Sequence, residues 1–264
     1  GVHVNMGVNL SVLILAKNEE KNLEACIKSA LFADEVLVID DMSTDGTKAL
    51  AEYLGARVLQ RSLNGNWGEQ QTFAMENAKC DWIYCLDADE RISHRLAEEI
   101  KRVVAEDDRR YAYETARLNY FWEQPLKHGG WFPDHGIRLL PRKGVYVTGF
   151  VHPQFHYDYE LKTLPDDAYV IHYPYRDWEH YFNKLNFYTT LVAKKNKEKG
   201  KKASFWDIIT HPIWASFRMY FLKSGWKDGK IGFVLASFHF FYTMAKYVKL
   251  YYLEKTNEHV GDEE

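Results

Sequence analysis

The residues best suited to chemistry are acidic or polar and sit just beyond apolar runs. Asp87-Ala88-Asp89 follows the run WIYCL (82–86), Asp40-Asp41 follows EVLVI (35–39), and Asn18-Glu19 comes shortly after LSVLILA (10–16). Each group alone reads equally well as turn or cap residues before a helix. Three such groups at three strand ends are harder to assign to capping. In an open α/β sheet the carboxyl ends of the strands share one rim, where ligands bind, and carboxylates gathered there call for a cation. Residues i and i+2 of an extended chain point to one side, so the spacing lets Asp87 and Asp89 reach one divalent ion. Mg²⁺ or Mn²⁺ takes carboxylate oxygen and keeps positions for phosphate. Asp87 and Asp89 are therefore the expected metal ligands, with a donor diphosphate as the group the metal would neutralise.

Positioning these groups takes alternating elements. The three apolar runs have the pattern of strands buried on both faces, and 57–59 is a short further strand. Helices are expected over 19–33, 47–54, 70–78 and 93–105, the last capped by Ser93. Strands alternating with helices through short loops predict a parallel sheet with helices on both faces. After Asp107 the pattern changes: 111–122 and 136–140 read as strands of an insertion at one sheet edge, with Gly129-Gly130 and Pro133 between them. From Trp178 onward the chain reads as helical and aromatic.

The segments LSVLILAKNEE, EVLVIDDMSTDGT and DWIYCLDADERI, in that order, resemble family-2 inverting glycosyltransferases of the GT-A fold. The match is strong over 10–95 and looser to the C-terminus. With WFPDHGIRLLPRKG they are most similar to the branch containing lipopolysaccharide inner-core β-glucosyltransferases. The resemblance implies an α/β fold of the Rossmann-like GT-A type: a mostly parallel sheet with helices on both faces, plus a helical, aromatic and basic C-terminal extension. It implies a catalytic domain over 1–177, with a nucleotide-sugar half (10–95) and an acceptor half (107–177), followed by a helical region over 178–264. The donor is expected to be a UDP-hexose, glucose first, and the acceptor a saccharide, lipid-linked as in lipopolysaccharide core. Lys17, Glu19, Asp40, Asp41, Gln71, Asp87 and Arg138 are the expected nucleotide contacts. Two positions depart from the family pattern: Lys17 stands where many relatives have an aromatic residue, and Gln71-Thr72 where Arg-Asn is frequent.

An inverting transfer needs a general base for the acceptor hydroxyl proton. Asp134, in Trp131-Phe132-Pro133-Asp134, is the first choice, with His152 and Glu123 next; its bland reading is a turn residue after proline. His152 lies in Val-His-Pro, where relatives often show Val-His-Glu. Arg142 and Trp131 are the expected acceptor contacts, while His156 and His172 are read as structural.

Charge is distributed unevenly. Residues 1–169 carry 19 Lys/Arg and 27 Asp/Glu, residues 170–255 carry 15 and 6, and the last nine carry four acids. The overall net charge of −3 does not suggest a nucleic-acid partner. Three cysteines without ligand spacing fit a reducing cytosol. No charged-then-apolar leader opens the chain. No stretch of 18 charge-free apolar residues exists, so no ordinary span is expected. A helix beginning at Pro212 and a second carrying Phe233, Phe240, Phe241, Met244, Val248 and Tyr251 would lie in a lipid interface instead. The six lysines of 194–202 would draw them to an anionic membrane surface. The resulting expectation is a cytoplasmic protein, peripheral on the inner membrane's cytoplasmic face. The alternative is that these helices pack on the protein or form a homo-oligomer. A nucleotide-sugar sensor would need the donor site but no base, and a phosphatase would need a hydroxyl residue soon after its Asp-x-Asp, where Glu90-Arg91 stand here.

Overall fold

The computed structural model describes residues 7–150 and 152–256. The acidic tail lies, past Thr256, outside the described residues. The chain divides into two compact units: Gly1–Leu118 with Pro133–His172, and Asn119–Phe132 with Tyr173–Glu264. The second unit thus claims an excursion, 119–132, that contains Glu123 and Trp131, both of which the sequence reading assigned to the catalytic domain.

In the first unit the α/β reading holds. Strands β1 (Leu10–Ala16), β2 (Glu35–Asp40), β3 (Arg57–Gln60) and β4 (Trp82–Asp87) form the parallel part, in the order β3-β2-β1-β4. Between them run α1 (Glu20–Ala30), α2 (Thr47–Tyr53) and α3 (Trp67–Asn77). The apolar runs are continuous because both faces are covered. Val12, Ile14, Trp82 and Tyr84 pack with Leu23 and Ile27 of α1; Leu13, Leu37, Ile39 and Ile83 pack on the other face with Ala74 and Met75 of α3. Burial on both sides removes the need for alternation.

Beyond β4 come β5 (Glu90–Ile92), α4 (His94–Glu106, capped by Ser93), β6 (Tyr111–Phe121), β7 (Gln124–Pro125) and β8 (Asp134–Pro141). Strands β9 (Tyr146–Thr148) and β10 (Gln154–His156) form a separate hairpin; β11 (Glu160–Thr163) and β12 (Tyr169–His172) complete the set. The expected insertion is part of the main sheet: β8 pairs antiparallel with β4, and β6 with β8.

The second unit contains α5 (Trp178–Glu198), α6 (Phe205–Phe217), a π-helical turn (Arg218–Leu222), a 3₁₀ turn (Gly225–Asp228) and α7 (Lys230–Thr256). Here α7 packs against both α5 and α6. The start expected at Pro212 is wrong. A capping box between Ser204 and Asp207 begins α6 a full two turns earlier, leaving Pro212 buried inside the helix. By length and composition alone, Lys230–Leu253 could cross a membrane. The charge-free run is short, but the helix continues past Lys246 and Lys249. Lys249 is turned inward, donating to Asn186, Thr189 and Thr190 of α5.

Candidate active site

Sheet register brings the acidic groups level. Ala16 lies beside Asp40 and Leu15 beside Asp87, so β1, β2 and β4 end on one rim. Two loops there are laced together. Asn18 takes a left-handed conformation (φ 51°). Its Oδ1 accepts from the Thr44 amide at 2.8 Å, and its own amide donates to Ser43 Oγ at 2.9 Å. The Glu19 amide donates to Thr47 Oγ1 at 3.0 Å, and its carboxylate accepts from Asn22.

The adjacent aspartates have different environments. Asp40 is fully buried and accepts from the Ser43 hydroxyl and amide and from Gln60 Nε2. Its oxygens are committed to holding the turn, which disfavours the donor contact expected of it. Asp41 accepts from the Leu63 amide at 2.9 Å and faces the exposed Lys17 ammonium at 3.8 Å. Lys17 and Asp41 are the charged pair at the mouth of this rim.

Asp87 ends β4 with its side chain 57% exposed. Ala88 and Asp89 then form a turn, so the extended i, i+2 geometry expected for the triplet is not what positions them. The turn is closed by Glu90, whose Oε1 accepts from the Asp87 amide at 2.9 Å. The Asp89 carboxylate pairs with His172 Nε2 at 3.1 Å. His172, read from sequence as structural, therefore touches one of the two expected metal ligands. No cluster of three metal-binding side chains occurs among the described residues. Two carboxylates nevertheless fit Mg²⁺ or Mn²⁺ when phosphate oxygens complete the shell.

Glu90, which sequence reasoning passed over, is the centre of the site's charges. It is completely buried, and burial pushes its carboxyl up to about 7 against the pull of Arg138. Arg138 reaches Glu90 Oε1 at 3.1 Å, Asp87 Oδ2 at 3.6 Å and the Cys85 carbonyl at 3.2 Å. Arg117 lies 3.8 Å from Glu90 and holds Asp134 Oδ2 through two nitrogens, at 2.9 and 2.6 Å. Arg117 and Asp134 are cross-strand partners of β6 and β8. The result is an alternating chain, Asp87–Arg138–Glu90–Arg117–Asp134, linking a metal-ligand candidate to the base candidate.

Gln71, Cys85, Asp87 and Arg138 line one wall of a cavity of about 570 Å³ that Pro153, Gln154, Phe155 and Tyr157 close. Gln71 Nε2 lies 3.3 Å from Cys85 Sγ. His152 is exposed on the loop leading to Pro153. That loop is anchored where the Trp67 and Gly68 amides of α3 donate to the Phe150 and Gly149 carbonyls. A Cβ on Gly68 would sit 2.7 Å from the Thr148 backbone, so only glycine admits this approach. His156 is paired with Thr148 and stacked on Tyr146.

Arg142 is not brought to this rim, and Glu123 and Trp131 belong to the second unit. Arg142 bonds the Cys80 carbonyl, just before the amino end of β4, roughly 23 Å along the chain from Asp87. Its expected acceptor role is withdrawn, because β8 runs antiparallel and carries Arg142 to the wrong end. Glu123 is exposed in the β6–β7 turn of the second unit. Trp131 lines a cavity of the second unit.

A family model described as glycosyl transferase family 2 matches residues 11–156. The chain belongs to this glycosyltransferase family. An uncharacterized glycosyltransferase, RT0209, of Rickettsia typhi is 31% identical over 237 residues, covering 85% of this chain and 80% of the relative. The lipopolysaccharide core biosynthesis glycosyltransferase LpsC of Rhizobium meliloti is 30% identical over 254 residues, covering 92% of each. Among solved structures, S. aureus TarS 1–349 in complex with UDP is 13% identical, covers 96% of this chain and 93% of that one, and has a TM-score of 0.47. Family membership bears out the GT-A reading of the sequence.

Proposed function

We propose that this glycosyltransferase moves a hexose, glucose being the first to test, from a UDP-linked donor to a hydroxyl of a lipid-linked saccharide such as lipopolysaccharide core, with inversion. The carrying observation is the rim where β1, β2 and β4 end level, with Asp87, Gln71 and Arg138 lining one cavity. The likeness to LpsC along nearly the whole chain supports a lipopolysaccharide-type acceptor.

In this reading Asp41, Lys17, Glu19 and Gln71 hold the nucleotide, and Asp40 holds the turn that presents Asp41. Asp87 and Asp89 would bind Mn²⁺ or Mg²⁺, which supplies charge neutralisation for the departing diphosphate. Arg138 adds a fixed positive charge beside Asp87. Asp134 takes the acceptor proton as the acceptor oxygen bonds the anomeric carbon and the carbon–phosphate-oxygen bond breaks. Arg117 fixes the Asp134 carboxylate for that transfer. His152 is the second base candidate and Glu123 the third, and Trp131 is kept as an acceptor contact. The first unit is the catalytic domain.

The second unit attaches the enzyme to the membrane surface. Trp206, Ile209, Ile213 and Phe217 recur at helical spacing on α6 and are exposed, as are Phe221 and Leu222 just beyond. The lysines of 194–202 run from the last turns of α5 into the segment after it, and all but Lys194 are exposed. An apolar stripe with lysines nearby suits an anionic lipid interface, on the cytoplasmic face of the inner membrane.

The test is UDP release from UDP-glucose with Mn²⁺, with and without a lipopolysaccharide-core acceptor. Wild type should release UDP faster with acceptor present. Asp134→Asn should lower turnover by about 10²–10⁴ with donor affinity unchanged. Loss of donor affinity at normal saturated turnover would remove Asp134 as the base, and His152→Ala would be measured next.

A further inference from the structure

The second unit contains two adjoining cavities with an unusual lining. One, of about 410 Å³, has aromatic walls that include Trp131, Tyr175, Tyr181 and Tyr242, with Lys223 and His239 among them. The other, of about 230 Å³, shares Lys223 and His239 and adds Arg218 and Lys246. No Asp or Glu lines either cavity. Arg218, Lys223 and Lys246 form no ion pair within 4 Å among the described residues, although the charges of the first unit's site are paired throughout. Trp131 Nε1 is buried and has no hydrogen-bond partner. Converging cations and an unmet N–H are what an anionic ligand would satisfy.

The local chain is built to keep these groups together. The Gly129 amide donates to the Lys223 carbonyl at 2.8 Å, and the His128 amide to Asp228 Oδ2 at 3.0 Å. Gly129 and Gly130 both take positive φ, and a Cβ on Gly130 would meet Lys223 Cδ at 2.9 Å. Glycine there allows the Trp131 loop to lie against the lysine stem.

We propose that these cavities bind the phosphate-bearing head group of a glycolipid. The cations would take phosphate, and the aromatic walls would take the apolar face of a sugar ring. A lipid source is favoured over a free sugar phosphate because Arg218 and Lys223 share one stretch of chain with the exposed Phe217, Phe221 and Leu222. If that stripe enters lipid, the cations lie at head-group depth. The inference rests on the lipid-linked acceptor reading and names the part of the acceptor this unit would grip.

The test uses the full chain and flotation with phosphatidylcholine vesicles containing a phosphorylated glucosamine-disaccharide lipid or the same lipid dephosphorylated. Wild type should bind the phosphorylated vesicles at least about tenfold more tightly. Lys223→Gln/Lys246→Gln should lose that preference while still binding neutral vesicles, and Lys223→Arg/Lys246→Arg should keep it. Equal binding to both vesicles, or a full preference in the Gln variant, overturns the proposal. Complete displacement by soluble glucosamine 1-phosphate overturns the lipid source. Glycosyl transfer to the glycolipid is scored separately. Transfer without phosphate preference sinks this inference alone; phosphate preference without transfer sinks the acceptor reading alone.

Discussion

The two units treat charge in opposite ways. In the first, the candidate active site is an alternating chain from Asp87 through Arg138, Glu90 and Arg117 to Asp134, with His172 on Asp89 and Lys17 near Asp41. Such pairing fixes side chains before any substrate arrives, which is how preorganised electrostatics lowers a barrier. In the second, Arg218, Lys223 and Lys246 converge without acids, and large aromatics such as Trp206 and Trp214 stand in solvent. One region pairs its charges with one another, as suits chemistry; the other leaves three cations around its cavities with no acid within 4 Å among the described residues.

The largest expected effect tests the first region. Asp87→Asn or Asp89→Asn should lower transfer on the order of 10³-fold, since a metal site contributes several kcal/mol to the departing charge. Thermal unfolding should be nearly unchanged for Asp87→Asn, whose side chain is exposed. Transfer within threefold of wild type in both variants, or insensitivity to EDTA, would remove the metal from the account.

Next is the stability of the charge chain. Arg138→Met strips the buried Glu90 of its closest cation and should destabilise the fold by about 3–5 kcal/mol above pH 7. Protonating Glu90 at lower pH should relieve part of that loss. In the wild type, burial raises the Glu90 carboxyl from its ordinary 4.5 to about 7. Between those values the folded chain binds this proton more tightly than the unfolded chain does. The Glu90 contribution to stability is therefore fully present below 4.5, falls as pH rises through that window, and is lost above 7. Denaturant titrations of wild type and Glu90→Gln across that range should show the slope only in wild type. Parallel profiles would mean that Glu90 is not the titrating group.

The smallest effect concerns the second region. Trp206→Ser with Trp214→Ser removes two exposed aromatics, so stability should change by no more than about 0.5 kcal/mol. Partition onto anionic vesicles should nonetheless fall by at least about tenfold, since burying each ring in lipid contributes about 1.5–3 kcal/mol.

The difference between the units also explains what could be read from sequence. Strands β1, β2 and β4 were legible because doubly covered strands are unbroken apolar runs, and their acidic ends followed from chain order. Glu90, Arg117 and His172 were not legible as a set: they are 27 to 82 residues apart in the chain and meet only through sheet register. Register likewise decides that Arg138 faces the rim while Arg142, four residues on, bonds at the far end. In the second unit, periodicity found the apolar residues but not the start of α6. Pro212 is a strong helix-start signal locally, and the Ser204–Asp207 capping box outweighs it. The 119–132 excursion carries no signal of its destination, because its aromatics look the same whichever unit they pack into.

The most direct test of this division of labour scores two variants for two properties in the same preparations: UDP release from UDP-glucose and flotation with anionic vesicles. Asp89→Asn should lose UDP release and float like wild type, whereas Trp206→Ser/Trp214→Ser should stay in the soluble fraction and still release UDP. Loss of both properties together in either folded variant would contradict the account.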